Sequence, residues 1–269
     1  MWSTLVGFFR DNWRWRNQVW HLAVTEVRKE ADGAILGWFW FLVSPAMYVG
    51  VLWLSLSVGL KTSSPVEQVP YVTWLAAGVV PWQFCSGMLM SGATVYQRYS
   101  YLVNRIKFPL TVISNFFTLA RLLVFLFMML LVLALMFVSG TGWSIYIVQL
   151  PLVVLVMYGF WMTWSIFAAP ITAISKDFQN LVRVLGTPLF WLSGVFFDVN
   201  SVHQAWLQVI FSINPMSFFV ASVRASLVDR YWIWQRPNLL WPFVGVMVVL
   251  IVLAILVQRR LATEVADAL

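Results

Sequence analysis

Few side chains in this sequence are able to carry chemistry, and their spacing excludes most of what they could do. There are two histidines, His21 and His203, far apart, and one cysteine, Cys85, inside an apolar run. Neither a disulfide framework nor a thiolate metal site can be built from that set. A membrane-embedded protease or transferase needs paired carboxylates, His with Asp, or a metal cluster at membrane depth, and a proton- or sodium-coupled carrier usually needs intramembrane acids. No acidic residue lies inside any of the long apolar runs. The tempting GLKT at Gly59 lacks the preceding glycine and the spacing that let backbone amides wrap a phosphate. The chain is therefore expected to be no enzyme and to bind no cofactor of its own, so energy for any transport must come from elsewhere.

What remains is a basic island and one isolated cation. The stretch QRYSYLVNRIKFPL, residues 97–110, places Tyr99, Leu102, Val103 and Ile106 on one helical face and Arg98, Tyr101 and Arg105 on the other. Pro109 ends it by pushing Phe108 out of the α region. A short rigid element of this kind at the inner face of a membrane is either pushed by a partner or simply lies on lipid. Arg121 falls roughly 18 Å beyond Pro109 at about 1.5 Å per residue, near the middle of a hydrocarbon core about 30 Å thick. Its insertion costs on the order of 2.5 to 3.5 kcal/mol, so it is satisfied by carbonyls or meets an anionic group such as a pyrophosphate.

The elements that must position these residues follow from composition. Hydrophobic residues make up 61% of the 269 and charged residues 10%, with a mean hydropathy of +0.83, where soluble domains carry roughly 25% charged residues. An all-α integral membrane protein with six transmembrane helices is expected. The spans fall at about 35–60 with Pro45 inside, 71–95, 111–138, 145–173, 185–197 and 239–257. Residues 1–34 form a cytoplasmic interfacial helix, with Trp13, Trp20, Val24, Val27 and Ala31 on one stripe and Arg14, His21, Thr25, Arg28 and Lys29 on the other. No removable signal peptide is expected. Residues 35–258 form the six-span domain, and 259–269, opened by Arg259 and Arg260, a cytoplasmic tail. The net charge of +7 is topological and implies no nucleic acid: twelve Lys and Arg fall inside against Lys61, Arg224, Arg230 and Arg236 outside, with both termini cytoplasmic.

Residues 184–223 are too long for one span and too polar in the middle for two. Between spans five and six, the stretch 198–222 is expected to form re-entrant outer-leaflet helices, covered by protein or a water-filled cavity. They would close an exit path, with Trp206 and Phe211 wedged between neighbouring helices and Asp198 and His203 at the water boundary. Trp161 and Trp164 inside the fourth span and Trp191 inside the fifth either line a sugar path or pack the core.

The ordered set resembles the membrane subunit of type-2 ABC exporters, in particular the permeases of lipid-linked polysaccharides such as O-antigen and teichoic acid. It is carried by Gly33, Leu36, Gly37, Trp40 and Pro45, by Gly78, Trp82 and Phe84, and by NRIKFP at 104–109. KDFQNLVRVLGTPLFWLSGVFF from Lys176 and NPMSFFVASVRASL from Asn214 complete it. The chain departs at Ser193-Gly194, where many polysaccharide permeases have Ser-Pro, a feature shared with drug and nodulation-factor exporters. The resemblance implies a homodimer in the cytoplasmic membrane with two copies of a separately encoded ABC ATPase, which binds ATP and Mg. The ATPase would sit beneath the basic island at Arg98, Tyr101, Arg105, Lys107, Phe108 and Pro109, and its turnover would export a lipid-linked glycan. Export of a drug or small glycolipid, and a non-transporting scaffold docked through the same island, are the competing readings.

Overall fold

The computed structural model describes residues 7 and 10–268 apart from 34, 60, 63, 67, 68, 107, 200, 201 and 203; the side chains of 104–106 and 262–268 also fall outside the description. The described secondary structure is helical. Among the described residues five segments are long and apolar enough to cross a membrane: Gly37–Gly59, Tyr71–Ala93, Leu110–Val138, Ile145–Ile174 and Pro237–Leu261. Each lies within a few residues of an expected span, because the signal is simply an uninterrupted apolar run of sufficient length.

α1 is Arg16–Ala31. Its buried stripe is Val19, Ala23, Val27 and Ala31, one residue round from the stripe expected, and Trp20 is exposed. Small side chains explain the rotation: Ala23 and Val27 pack against Ala120 and Val124 of a span, where a tryptophan would hold the two helices apart. The first span contains α2, Trp40–Leu54, with a 3₁₀ turn before it and a π turn, Ser55–Gly59, after it. α3 is Tyr71–Ala93 and is the centre of the bundle. α4, Val95–Arg98, and α5, Ser100–Ile106, lead to α6, Leu110–Val138, whose start is set by Pro109. α7 is Leu150–Ile174, preceded by a 3₁₀ turn, and α11 is Pro237–Ala268.

The expected span at 185–197 is not among the long apolar helices described. α8 is Lys176–Trp191, not 185–197, and carries Lys176, Asp177 and Arg183 within it. Ser175 caps it by accepting from the Phe178 amide at 3.4 Å, so the helix begins at the charged residues that sequence reading leaves in a loop. Sixteen residues reach only about 24 Å at 1.5 Å each. That is short of a hydrocarbon core about 30 Å thick, and the chain is irregular from Leu192 to Asp198.

α9, Ala205–Ile213, and α10, Pro215–Leu227, follow and are bent by 87° to one another at Asn214. A bent pair thus falls where the length argument places re-entrant helices at 198–222, with a geometry that fits a broken span or a re-entrant loop. α3 packs against α2, α6, α7, α8 and α10, α1 lies along α6, and α11 lies along α7. The bundle thus has one end with α5 and an opposite end where the starts of α3 and α11 meet the turn at 139–144 and the loop at 228–236.

Candidate functional site

At the α5 end the basic island folds against the bundle. Tyr99, Leu102 and Val103 are buried, as their spacing requires, and Tyr101 is half exposed. Arg98 and Phe108, expected at the ATPase contact, each also reach the N-terminal helical region. Arg98 Nη2 pairs with Glu26 of α1 at 2.5 Å, and Glu26 is 5% exposed. Phe108 is buried edge-on to Trp15 at 4.6 Å between ring centroids. Both side chains therefore join the N-terminal helix to the island. Pro109 takes the N-cap position of α6; Lys107 and the Arg105 side chain lie outside the described residues. Gln97 Nε2 donates to the Thr172 carbonyl at 2.7 Å, tying α4 to α7. Burial, and then the neighbouring Glu26 carboxylate, raise the Tyr99 phenol above its ordinary range.

Arg121 is also claimed by α1. Its Nη1 donates to Glu30 Oε2 at 3.0 Å, Nη2 pairs with Oε1, and the cation lies 5.1 Å from the Phe117 ring. In place of the carbonyls or anionic group expected, its partner is Glu30, a carboxylate outside the spans on a separate helix that packs along α6. A bidentate pair of this kind satisfies most of the guanidinium and makes it a joint between α1 and α6.

The three tryptophans are not gathered into one surface. Trp161 is buried to 1% exposure edge-on to Phe160, and Trp164 Nε1 donates to the Leu89 carbonyl of α3 at 3.0 Å, so both are core packing in the single chain. Trp191 is 61% exposed at the end of α8, beside Phe190 and Phe196. Phe190 in turn meets Trp82 at 4.1 Å, and Trp82 stacks on Tyr48 at 6.1 Å. An aromatic track thus joins α2, α3 and α8, and only Trp191 of the three belongs to it.

The opposite end holds the second polar seam. Asp198 pairs with Arg236 at 3.0 and 3.2 Å, and Arg236 lies 3.9 Å from the Tyr231 ring. Phe211 is buried edge-on to Phe197 at 5.1 Å, whereas Trp206 is 64% exposed. It shares an outward apolar stripe with Val209, Ile210 and Ile213, so α9 turns that face away from the bundle. His203 lies outside the described residues. Asn214 caps α10 by accepting from Met216 N at 3.0 Å and donates to the Leu189 and Leu192 carbonyls. Arg224, expected in an outside loop, is a fully enclosed residue of α10. Its one sequence signal is phase: Ser217 and Arg224 are seven residues apart, on the same helical face. Burial raises the Asp229 carboxyl above the usual range, with the Arg224 charge pulling it the other way.

Five described helices long and apolar enough to cross a membrane, with a bent pair before the last of them and a basic island between the second and third, mark a multi-pass membrane protein. The family model for ABC-2 type transporters matches residues 17–228, and the chain belongs to that family. It is similar to the O-antigen export system permease protein RfbA of Myxococcus xanthus, with 22% identity over 227 residues that cover 84% of this chain and 86% of that one. Permeases of this family are the non-catalytic component of the transporter. Among the described residues no cluster of His, Cys, Asp and Glu is placed to hold a metal ion.

Proposed function

We propose that the chain is one half of a homodimeric channel that exports a lipid-linked polysaccharide across the cytoplasmic membrane, each copy carrying an ABC ATPase at its α5 end. The observation behind the dimer is α8. Asn180, Arg183 and Thr187, at i, i+3 and i+7, are exposed along one side of α8, which packs against α3 and α7. Lipid cannot solvate such a stripe, and a guanidinium at depth costs on the order of 2.5 to 3.5 kcal/mol. A second copy related by a two-fold axis covers it and leaves a polar path between the two α8 helices. The track from Tyr48 through Trp82 and Phe190 to Trp191 offers that path flat rings of the kind sugars stack on. The O-antigen function in the name of the Myxococcus xanthus relative favours a glycan over a drug.

In this reading the α5 end is cytoplasmic, α5 is the element the ATPase pushes, and α1 lies at headgroup level with Trp13, Trp20, Arg28 and Lys29 turned outward. The bent pair α9–α10 sits in the outer leaflet and closes the exit. Reconstitution of the chain with an ABC ATPase encoded beside it tests the whole. Turnover stimulated by a lipid-linked glycan and not by amphipathic drugs is expected, and the reverse pattern would transfer the protein to the drug exporters.

The coupling role has its own test. Phe108→Ala and Arg105→Ala are expected to lower export more than they lower membrane insertion or ATPase association. Unchanged transport in both variants would mean that α5 merely lies on lipid.

A further inference from the structure

Three stretches meet at the end of the bundle away from α5, and one side chain joins them. Arg224 is 2% exposed. Its Nε donates to the Trp74 carbonyl of α3 at 3.3 Å, Nη1 to the Gly194 carbonyl at 2.7 Å and Nη2 to the Val195 carbonyl. The cation also lies 3.4 Å from the centroid of the Trp74 ring. Its seat is Gly78: a Cβ there would stand 2.6 Å from Cζ and 2.9 Å from Nε, where no atom fits.

The need for a buried cation at this place comes from α8. The chain leaves helical geometry after Trp191 and passes through Gly194 at φ +67, so carbonyls at the end of α8 have lost their helical donors. Ser193, Gly194 and Val195 are buried, so no bulk water replaces them. α10 supplies the donors instead: Asn214 for Leu189 and Leu192, Ser217 for Leu192, and Arg224 for Gly194 and Val195. The end of α8 and the whole of α10 are therefore one body, because separating them strands several carbonyls at a cost of about 1–3 kcal/mol each.

The link from that body to α3 is of a different kind. It runs through Trp74 alone among the described hydrogen bonds: its carbonyl and ring face Arg224, and its indole N–H donates to Asp229 at 3.2 Å. Trp74 sits in the first turn of α3, where its carbonyl already serves the helix ladder. Losing Arg224 strands nothing there. We propose that Arg224 is the latch of the exit gate, a positioning residue whose contact with Trp74 over Gly78 holds α8 and α10 shut against α3 and breaks when the gate opens. This rests on the exporter reading, since a latch needs a path to close.

The test is efflux of a small trapped dye from vesicles holding the full chain with its ATPase, before ATP is added. Gly78→Ala, which pushes the guanidinium off its seat, and Arg224→Lys, which cannot span three carbonyls, are each expected to raise resting efflux about tenfold, the order that one charge-assisted hydrogen bond supports. Gly87→Ala, the same change further along α3 where a Cβ meets nothing within 4 Å, stays at the parent level. The double variant Gly78→Ala with Arg224→Lys leaks no more than Arg224→Lys alone, because both changes act on one group. Resting efflux at the parent level in Arg224→Lys that still assembles with the ATPase overturns the latch, as does equal leakage from Gly87→Ala. Failure of the parent to move any glycan on ATP addition counts against the exporter reading and leaves the leak comparison standing.

Discussion

Arg98→Ala is expected to lower the stability of the protein in nanodiscs by about 3 kcal/mol, the lower end of the cost of stranding a buried charge. Glu26 is almost fully enclosed where α1 meets the island, and the Arg98 guanidinium pairs with it at 2.5 Å. Without the guanidinium the carboxylate keeps its burial and loses its partner. Arg98 itself is nearly half exposed, so water screens part of the pair and the upper end of the range does not apply. Removing the charge together with its partner reverses most of the loss: Arg98→Ala with Glu26→Gln should unfold close to the parent. Thermal unfolding of the three proteins checks this. Equal midpoints for Arg98→Ala and the double variant would show that Glu26 was never carrying an unpaired charge, and that the island is held by apolar contacts alone.

Asn214→Asp should be more damaging than Asn214→Ala, although aspartate is the closer isostere. The side chain does two jobs at the 87° bend: its oxygen caps α10 through Met216 N, and its amide donates to the Leu189 and Leu192 carbonyls. Alanine loses both, at about 1 kcal/mol for the cap and about 1–3 kcal/mol for carbonyls left without donors. Aspartate keeps the cap but sets a carboxylate against two carbonyl oxygens in a water-poor site, so it repels where asparagine donated. The expected order of unfolding midpoints is parent, then Asn214→Ala, then Asn214→Asp. An aspartate variant as stable as the parent would mean that the end of α8 does not depend on this amide.

The spans were legible because each is a long apolar run ended by proline, glycine or charge, and the buried face of α5 because Tyr99, Leu102 and Val103 repeat at helical spacing. The site was legible only in part. Arg121 looked unpaired because its acid, Glu30, is supplied from another helix at a sequence distance of 91 residues. Arg224 looked like a loop cation because it stands among Arg230 and Arg236, and nothing local reveals that three carbonyls from α3 and the end of α8 surround it. The start of α8 was misplaced since its charged first turn reads as a loop until the Ser175 cap is seen. Trp206, expected to wedge between neighbouring helices, shares an exposed apolar stripe with Val209, Ile210 and Ile213. For Arg121 and Arg224 the missing information is a partner from elsewhere in the chain, which periodicity does not encode.

α3 has a consequence for how the protein is made. Among the five crossing helices described it is the least apolar and by far the most enclosed, while α6, the next long span to be synthesised, is more than twice as hydropathic. A segment of that kind partitions poorly from the translocon into lipid by itself, and its stability in the membrane comes from helices that surround it later. Membrane integration of α3 is therefore expected to wait at the translocon until α6 and α7 emerge to take it up, which makes biogenesis of this chain cooperative across its middle third and leaves nascent chains truncated before Leu110 only loosely anchored at that position.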